Sequence, residues 1–302
     1  KLTRLHWKVW FLSAMGICLD GFDLFIIAIA LPFIMLTFPN ITPSESGLIL
    51  AASPIGCIFG ATVFGRFTDK LGRRAILLID LLFFVVFAGM SAFAWSVVSL
   101  IFFRFLLGIG IGADYPVSST YITENMPKKL RGKMLVSGFG FQALGAIGGA
   151  AVGVLIVAIH PDPNAWRYML GFAVIPAVII LLFRLTLPES PRWLLQKGDI
   201  AKAEQVATQM TGKKLKVEAL NASEKSSFLD LFSPRYIKRT CLTAISWFIM
   251  DIGLYGIGLF APILLAKLAI SQAGVSSIVK FDSAIRTSLF IDIFFYSRIV
   301  DQ

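Results

Sequence analysis

Six apolar stretches, each long enough to cross a bilayer, fill the first 190 residues, and three of them contain ionisable residues deep inside the apolar run. These residues are Asp20 and Asp23, Asp80, Arg104, and Asp114. A charge at bilayer depth costs about 2.5–3.5 kcal/mol on insertion scales, so such groups are kept where they face a bundle interior or a watery cavity. The pattern predicts a polytopic membrane protein with a polar path through it.

Composition excludes an ordinary soluble domain. Hydrophobic residues make up 57% of the 302 residues and charged residues only 15%, against about 25% charged in soluble domains. The net charge of +10 would suit a nucleic-acid partner, but the basic residues cluster in loops between the apolar stretches. Their expected partner is therefore the anionic face of a lipid bilayer, and no nucleic acid is expected.

A window of about 20 residues divides the chain into spans. The predicted spans are 8–36, 46–66, 76–97, 98–122, 135–159, 167–187 and, after a long polar segment, 240–266. The predicted fold class is thus an all-α polytopic membrane protein. We expect three regions: a six-helix amino-terminal bundle (1–187), a cytoplasmic loop with an amphipathic helix near 201–210 (188–239), and a seventh helix with an incomplete eighth (240–302).

The loops predict the orientation. Four basic residues follow span two and four follow span four, whereas the loops after spans one and three contain no Lys or Arg. The positive-inside rule places the amino terminus and the even-numbered loops in the cytoplasm. The expected location is an integral, multi-pass position in the plasma (inner) membrane.

Two segments resemble signatures of the major facilitator superfamily. The loop after span two runs from Gly65 through Asp69 and Gly72 to Arg73 and Arg74, and Arg104 precedes a run of glycines in span four. The loop from Glu124 to Arg131 and the Pro-Glu-Ser-Pro-Arg segment after span six resemble the sugar-porter-like branches. The resemblance implies a bundle of six helices joined to a second half, with these residues in gating or structural roles.

Span four ends in Asp114-Tyr115-Pro116, which is similar to phosphate:proton symporters and related bacterial metabolite:proton symporters. The resemblance implies that Tyr115 and Gln142, together with Trp247, Asp251 and Tyr255 of span seven, contact the substrate. Because the last three are spaced at i, i+4 and i+8, they share one helix face. The alternative is that the two aromatic residues only pack, with Asp251 paired to another helix.

The other acidic residues have two possible roles. Asp20 and Asp23 lie three apart on one helix face, and either bind the transported proton or hold helices together by hydrogen bonds. For Asp114, ten residues from Arg104, a pair with that arginine would be long, and its family resemblance implies proton coupling. Asp80 is expected to be structural, paired with Arg73 or Arg74.

The predicted function is a proton-coupled symporter of a small solute, inorganic phosphate first, working by alternating access. The alternatives are a sugar or organic-metabolite symporter, and a truncated, non-transporting remnant of such a protein. No nucleophile-and-base arrangement, metal-ligand spacing or phosphate-binding loop occurs in the sequence, so neither an enzyme, a cofactor nor a metal site is expected.

Overall fold

The computed structural model describes residues 2–212 and 228–270, and of Phe228, Leu254 and residues 257–270 it describes the backbone alone. The described part consists of helices and the loops between them. They are α1 (Arg4–Thr37), α2 (Pro43–Leu71), α3 (Arg73–Ala92), α4 (Val97–Asn125), α5 (Arg131–Phe139), α6 (Phe141–Ile159), α7 (Ala165–Phe172), α8 (Val174–Arg184), α9 (Pro191–Gln196), α10 (Ile200–Thr211) and α11 (Ile237–Ile270), with a 3₁₀ turn at Phe228–Phe232.

Local sequence determines where the long helices begin. Thr42 caps the start of α2: its side chain accepts from the Glu45 N–H, the Glu45 carboxylate accepts from the Thr42 N–H, and Pro43 occupies the first turn. Ser96 and Ser99 form the same reciprocal cap at the start of α4. Such caps satisfy N–H groups that have no partner inside the helix.

Six segments of the described chain are long and apolar enough to cross a membrane. The fifth combines α5 and α6, which are separated only by Gly140 with a helical backbone, and the sixth combines α7 and α8. These six match the first six predicted spans to within a few residues at most ends. The predicted seventh span falls within α11, and the expected eighth helix lies mostly outside the described residues.

α1 is the central helix of this bundle. Its most apolar window is 94% buried, compared with 33% for α2. A helix that is apolar on all sides is expected at the centre of a bundle or in lipid, and α1 takes the first of these positions. The apolar side chains that remain exposed, such as Phe59 and Phe102, lie on the outer helices, where lipid would be the solvent.

Two helix pairs approach backbone to backbone. A β-carbon at Gly145 of α6 would overlap the Cys18 carbonyl of α1, and one at Gly112 of α4 would overlap the Cys57 carbonyl of α2. Small residues generally allow membrane helices to pack closely, and at these two positions the approach leaves room only for glycine. Gly112 in span four and Gly145 in span five are therefore helix-contact positions.

The loop between spans six and seven folds back onto the first helix. α10 begins after Gly198, whose φ of +80° suits glycine, and buries Ala203, Val206 and Met210 on one face. These pack with Leu12 and other residues at the start of α1, and the Thr3 hydroxyl donates to the Met210 carbonyl at 3.0 Å. We call this end of the molecule, with the basic loops and α9–α10, the basic end.

Candidate functional site

The first buried ion pair joins span one to span four. Arg104 Nη1 lies 2.6 Å from Asp23 Oδ1, and Arg104 Nη2 donates to the Asp23 carbonyl at 3.3 Å. Both side chains are essentially inaccessible. A charge this deeply buried is stable only with a partner of opposite sign, so each residue neutralises the other.

The second arginine, Arg184, holds two carboxylates at once. Its Nη1 lies 3.2 Å from Asp80 Oδ2 and its Nη2 lies 3.1 Å from Asp114 Oδ1. Ser118 also donates to Asp114, at 2.8 Å. The expectation that Asp80 pairs with Arg73 or Arg74 is wrong, because the carboxyl group points into the bundle, where Arg184 arrives from span six.

Asp20 lies between these two ion pairs. It is three residues before Asp23 on α1 and one turn after Gly16, where a β-carbon would overlap both Arg184 and Asp114. Asp20 is buried, and its Oδ2 has no hydrogen-bond partner within the described part of the chain. It is thus a buried acid with neither a salt bridge nor a full set of hydrogen bonds.

Four of the five predicted substrate residues come together where α11 meets the bundle. Gln142 Nε2 donates to the Tyr255 hydroxyl at 2.9 Å. Tyr115 stacks on Phe139 with ring centroids 6.1 Å apart, and the edge of Phe139 meets Trp247 at 5.6 Å. We call Tyr115, Gln142, Trp247 and Tyr255 the aromatic wall.

The fifth, Asp251, is half-buried and shares a cavity of about 720 Å³ with Trp247. The cavity runs along α11 toward the residues that precede it, and its lining includes Tyr236, Arg239 and Thr243. Asp251 therefore reaches open space, whereas Asp20, Asp23 and Asp114 are enclosed by helices.

Sequence reasoning missed three residues of this region. Phe139 links Tyr115 to Trp247, and Phe25 stacks on Tyr255 with centroids 6.3 Å apart. Phe139 precedes Gln142 by one helical turn, a spacing that could have indicated it. Arg184 was missed because a basic residue near the end of an apolar span also fits a membrane-surface anchor.

A second group of charges lies at the basic end. Arg73 Nη2 donates to Glu124 Oε1 at 3.1 Å and lies 3.2 Å from Asp69 Oδ1, and Arg73 Nε lies 3.1 Å from Glu124 Oε2. The Ser190 hydroxyl also donates to Glu124 Oε2. These contacts join the loops after spans two, four and six, and we call the group the loop cluster.

Glu189 completes the loop cluster. Its carboxylate accepts from the backbone N–H groups of Arg73, Arg74 and Ser190 at 3.0, 3.2 and 2.8 Å. Gly72 precedes these N–H groups with a φ of +101°, a conformation that favours glycine. Partial burial raises the pKa of the Glu189 carboxyl group, while the three N–H groups oppose that rise.

The remaining predicted motif residues are less closely involved. Gly65 and Arg131 make no hydrogen bond or ion pair to the loop cluster within the described residues, and a β-carbon at Gly65 would meet open space. A search of the same residues finds no group of three or more side chains suited to a metal ion.

Comparison with known proteins places this architecture in a family. The family model for sugar (and other) transporters matches residues 9–295. The chain therefore belongs to the sugar (and other) transporter family of the major facilitator superfamily, as the sequence motifs predicted. The family consists of multi-pass integral membrane transporters.

Individual relatives cover a range of substrates. The chain is 31% identical over 268 residues to the putative metabolite transport protein YaaU of Escherichia coli, covering 87% of this chain and 58% of that protein. It is 31% identical over 307 residues to the probable inorganic phosphate transporter 1-6 of Arabidopsis thaliana, covering 86% and 58%. The chain thus spans less than two thirds of the length of either relative.

Among solved structures, the proton:xylose symporter XylE of E. coli bound to 6-bromo-6-deoxy-D-glucose has the same fold. The TM-score is 0.74 at 23% identity, over 98% of this chain and 70% of XylE. This similarity confirms the predicted fold class. The matched family and these proteins are transporters by name and none is an enzyme, which also agrees with the prediction.

Proposed function

We propose that the protein is a proton-coupled symporter that carries a small solute by alternating access, with inorganic phosphate as the first substrate to test. The observation that supports this most is the position of the aromatic wall. It joins α11 to the six-helix bundle through the Gln142–Tyr255 hydrogen bond, beside a bundle interior that contains an unpaired buried acid. Phe25, on the same helix as Asp20, stacks on Tyr255, so the solute and proton sites would adjoin at α1.

The aromatic wall has the chemistry of a small polar ligand site. It offers the hydroxyl groups of Tyr115 and Tyr255 and the Gln142 amide, on a rigid stack of rings. Sites for small molecules usually combine an apolar, aromatic lining with a few convergent polar groups. Asp251, four residues from both Trp247 and Tyr255, would add an acid that donates a hydrogen bond to an anion only when protonated.

Phosphate is placed first because a relative at 31% identity is named as an inorganic phosphate transporter, and because Asp114-Tyr115-Pro116 resembles that group. Arg239 gives the cavity beside Asp251 one positive charge, which would attract an anion toward the aromatic wall.

A sugar is the second candidate, and a specific observation favours it. The aromatic wall itself contains amide and hydroxyl groups but no cation among its described side chains, and such groups suit the hydroxyls of a sugar as well as phosphate oxygens. The matched family is described as sugar (and other) transporters, and the similar XylE structure is that of a xylose symporter.

Asp20 is the strongest proton carrier of the three predicted acids. Asp23 and Asp114 each have an arginine within 3.1 Å or less, and an arginine contact stabilises the ionised form. Asp20 has none, so binding a proton removes an uncompensated buried charge.

The test uses the complete protein in proteoliposomes with an imposed pH gradient. We expect accumulation of labelled phosphate or labelled xylose that a protonophore abolishes. Because D20N lacks the proton-binding carboxyl group, its accumulation should fall at least tenfold, which corresponds to about 1.4 kcal/mol. D162N, in the loop between α6 and α7, is the matched control and should transport normally. Accumulation in D20N equal to the wild type would exclude Asp20 as the carrier, and failure to accumulate either solute would exclude both candidate substrates.

A further inference from the structure

We infer that Arg184 is a positioning residue for proton coupling: it holds Asp80 and Asp114 in their ionised forms and thereby confines the exchangeable proton to Asp20. The inference deepens the proposed function and rests on it. It gives a role to a buried cation that no motif in the sequence identifies.

Each nitrogen of the Arg184 guanidinium already has an acceptor other than Asp20. Its Nε donates to the Leu12 carbonyl at 3.2 Å, and its Nη1 donates to the Leu77 carbonyl at 2.9 Å as well as to Asp80. Nη2 is used by Asp114. With every nitrogen engaged across three other helices, the guanidinium is held in one orientation.

The close approach of α1 brings Asp20 near this guanidinium. Because residue 16 is glycine, the α1 backbone lies directly against Arg184 and Asp114. Asp20 is one turn further along and buried. Asp20 is therefore near the guanidinium but not bonded to it. Of Asp20, Asp80 and Asp114, it is the acid whose negative charge is least compensated.

The balance of charges differs between the two buried arginines. Arg104 faces one carboxylate, Asp23, whereas Arg184 faces two. Adding an ionised Asp20 would leave the Arg184 group with three negative charges against one positive charge. The interior thus favours a proton on one acid, and the two acids in contact with Arg184 are the ones that the guanidinium stabilises as ions.

Other ionisable groups face Asp20 from the helices packed around it and could take part in its titration. They are Cys18 and Asp23 on α1, Cys57 on α2, Asp80 on α3, Asp114 and Tyr115 on α4, and Arg184 on α8, with Arg104 of α4 behind Asp23. The cations in this set are Arg104 and Arg184. Arg104 is committed to Asp23, so Arg184 decides the distribution of protons among the rest.

Infrared spectroscopy of the purified complete protein tests this without any solute. The absorption band of protonated carboxyl groups is recorded against pH and scaled to the amide band. Its buried component, which comes from acids inside the bundle, should be mostly lost in D20N. In R184Q, Asp80 and Asp114 lose their counter-ion, so a second buried proton is needed for charge balance and the buried component should roughly double. R184K retains the charge and should stay near the wild type.

If R184Q alone fails to fold, the double variant D80N/R184Q replaces it. This variant removes one carboxylate together with the cation, so the net charge of the buried group is preserved. Its buried carboxyl band should return toward the wild-type amplitude. A merely structural role for Arg184 would leave the band unchanged in both variants. Equal amplitude and titration midpoint in wild type, R184Q and the double variant would overturn the inference, as would a full band in D20N.

Uptake of labelled phosphate and labelled xylose by the same preparations separates this inference from the proposed function. One outcome is pH-gradient-dependent uptake together with an R184Q infrared titration like that of the wild type. That outcome would retain the proposed symport and reject the role of Arg184. No uptake of either probe in the wild type, with the infrared shifts present, rejects the proposed transport and leaves the proton assignment standing.

Discussion

The bundle interior and the loop cluster use the same chemistry at different depths. Arg104 and Arg184 are fully buried with Asp23, Asp80 and Asp114, whereas Arg73 binds Glu124 inside the protein and Asp69 at the surface, where the Asp69 side chain is 73% exposed. Water can replace a lost partner of the exposed Asp69 carboxylate, but not of the acids between the helices. The loop cluster is therefore expected to tolerate the loss of an ion pair better than the bundle interior does.

The largest effect is expected from breaking the most deeply buried pair. R104Q leaves Asp23 as an unpaired charge, and removing one partner of a buried pair costs about 3–5 kcal/mol in the free energy of unfolding. The melting temperature of the detergent-solubilised protein measures this. The double variant D23N/R104Q should recover most of the loss, because no unpaired charge remains.

R192Q is the control for loss of a positive charge, since Arg192 is exposed after span six, and surface changes are usually within about 0.5 kcal/mol. If R104Q melts at the wild-type temperature, the interior is wet enough to screen Asp23, and the contrast between the two regions disappears.

A smaller effect is expected in the loop cluster. R73Q leaves the buried Glu124 carboxylate with Ser190 alone, and a buried acceptor that loses its partner costs about 1–3 kcal/mol. The loss of melting temperature should be clearly smaller than in R104Q. R66Q, at an exposed position near the end of α2, should have no effect, and an R73Q loss as large as that of R104Q would contradict the comparison.

The smallest effect concerns pH. Because burial raises the Glu189 pKa, the contribution of this residue to stability is complete below the ordinary glutamate pKa of about 4.3 and is lost as pH rises through the raised value. E189Q imitates the protonated form, so at neutral pH it should change stability by less than about 1 kcal/mol.

Trp193 reports on this titration, because its Nε1 donates to the Asp69 carbonyl within the same cluster. The wild-type fluorescence should change with a midpoint above about pH 4.3, and that component should be missing in E189Q. A pH profile that is the same in both proteins would show that Glu189 does not titrate in this range.

The sequence predicts the fold well because each span is a local property of about 20 residues. The first six spans follow from hydropathy, and α10 follows from its amphipathic pattern after Lys197-Gly198-Asp199. The aromatic wall could be anticipated only in part. The spacing of Trp247 and Tyr255 places them on one face, but their meeting with Tyr115 and Gln142 was implied by family resemblance.

Partners distant in the sequence could not be read in this way. Arg184 and Asp80 are separated by 104 residues, and nothing in either segment names the other. Proximity in sequence instead suggested Arg73 and Arg74, which lie one or two turns from Asp80 along α3 but are engaged with the loop cluster and with the Leu185 carbonyl. Which acid meets which arginine is decided by how the helices pack.

The glycine contacts between α1 and α6, and between α2 and α4, have a mechanical consequence. Where one backbone touches another, neither a lipid chain nor a side-chain rearrangement can separate the two helices without breaking van der Waals contact along the whole seam. Each pair must therefore travel as a rigid unit. Any hinge in the described part of the molecule therefore lies outside these seams, for instance where a hydrogen bond between Gln142 and Tyr255 joins the bundle to α11.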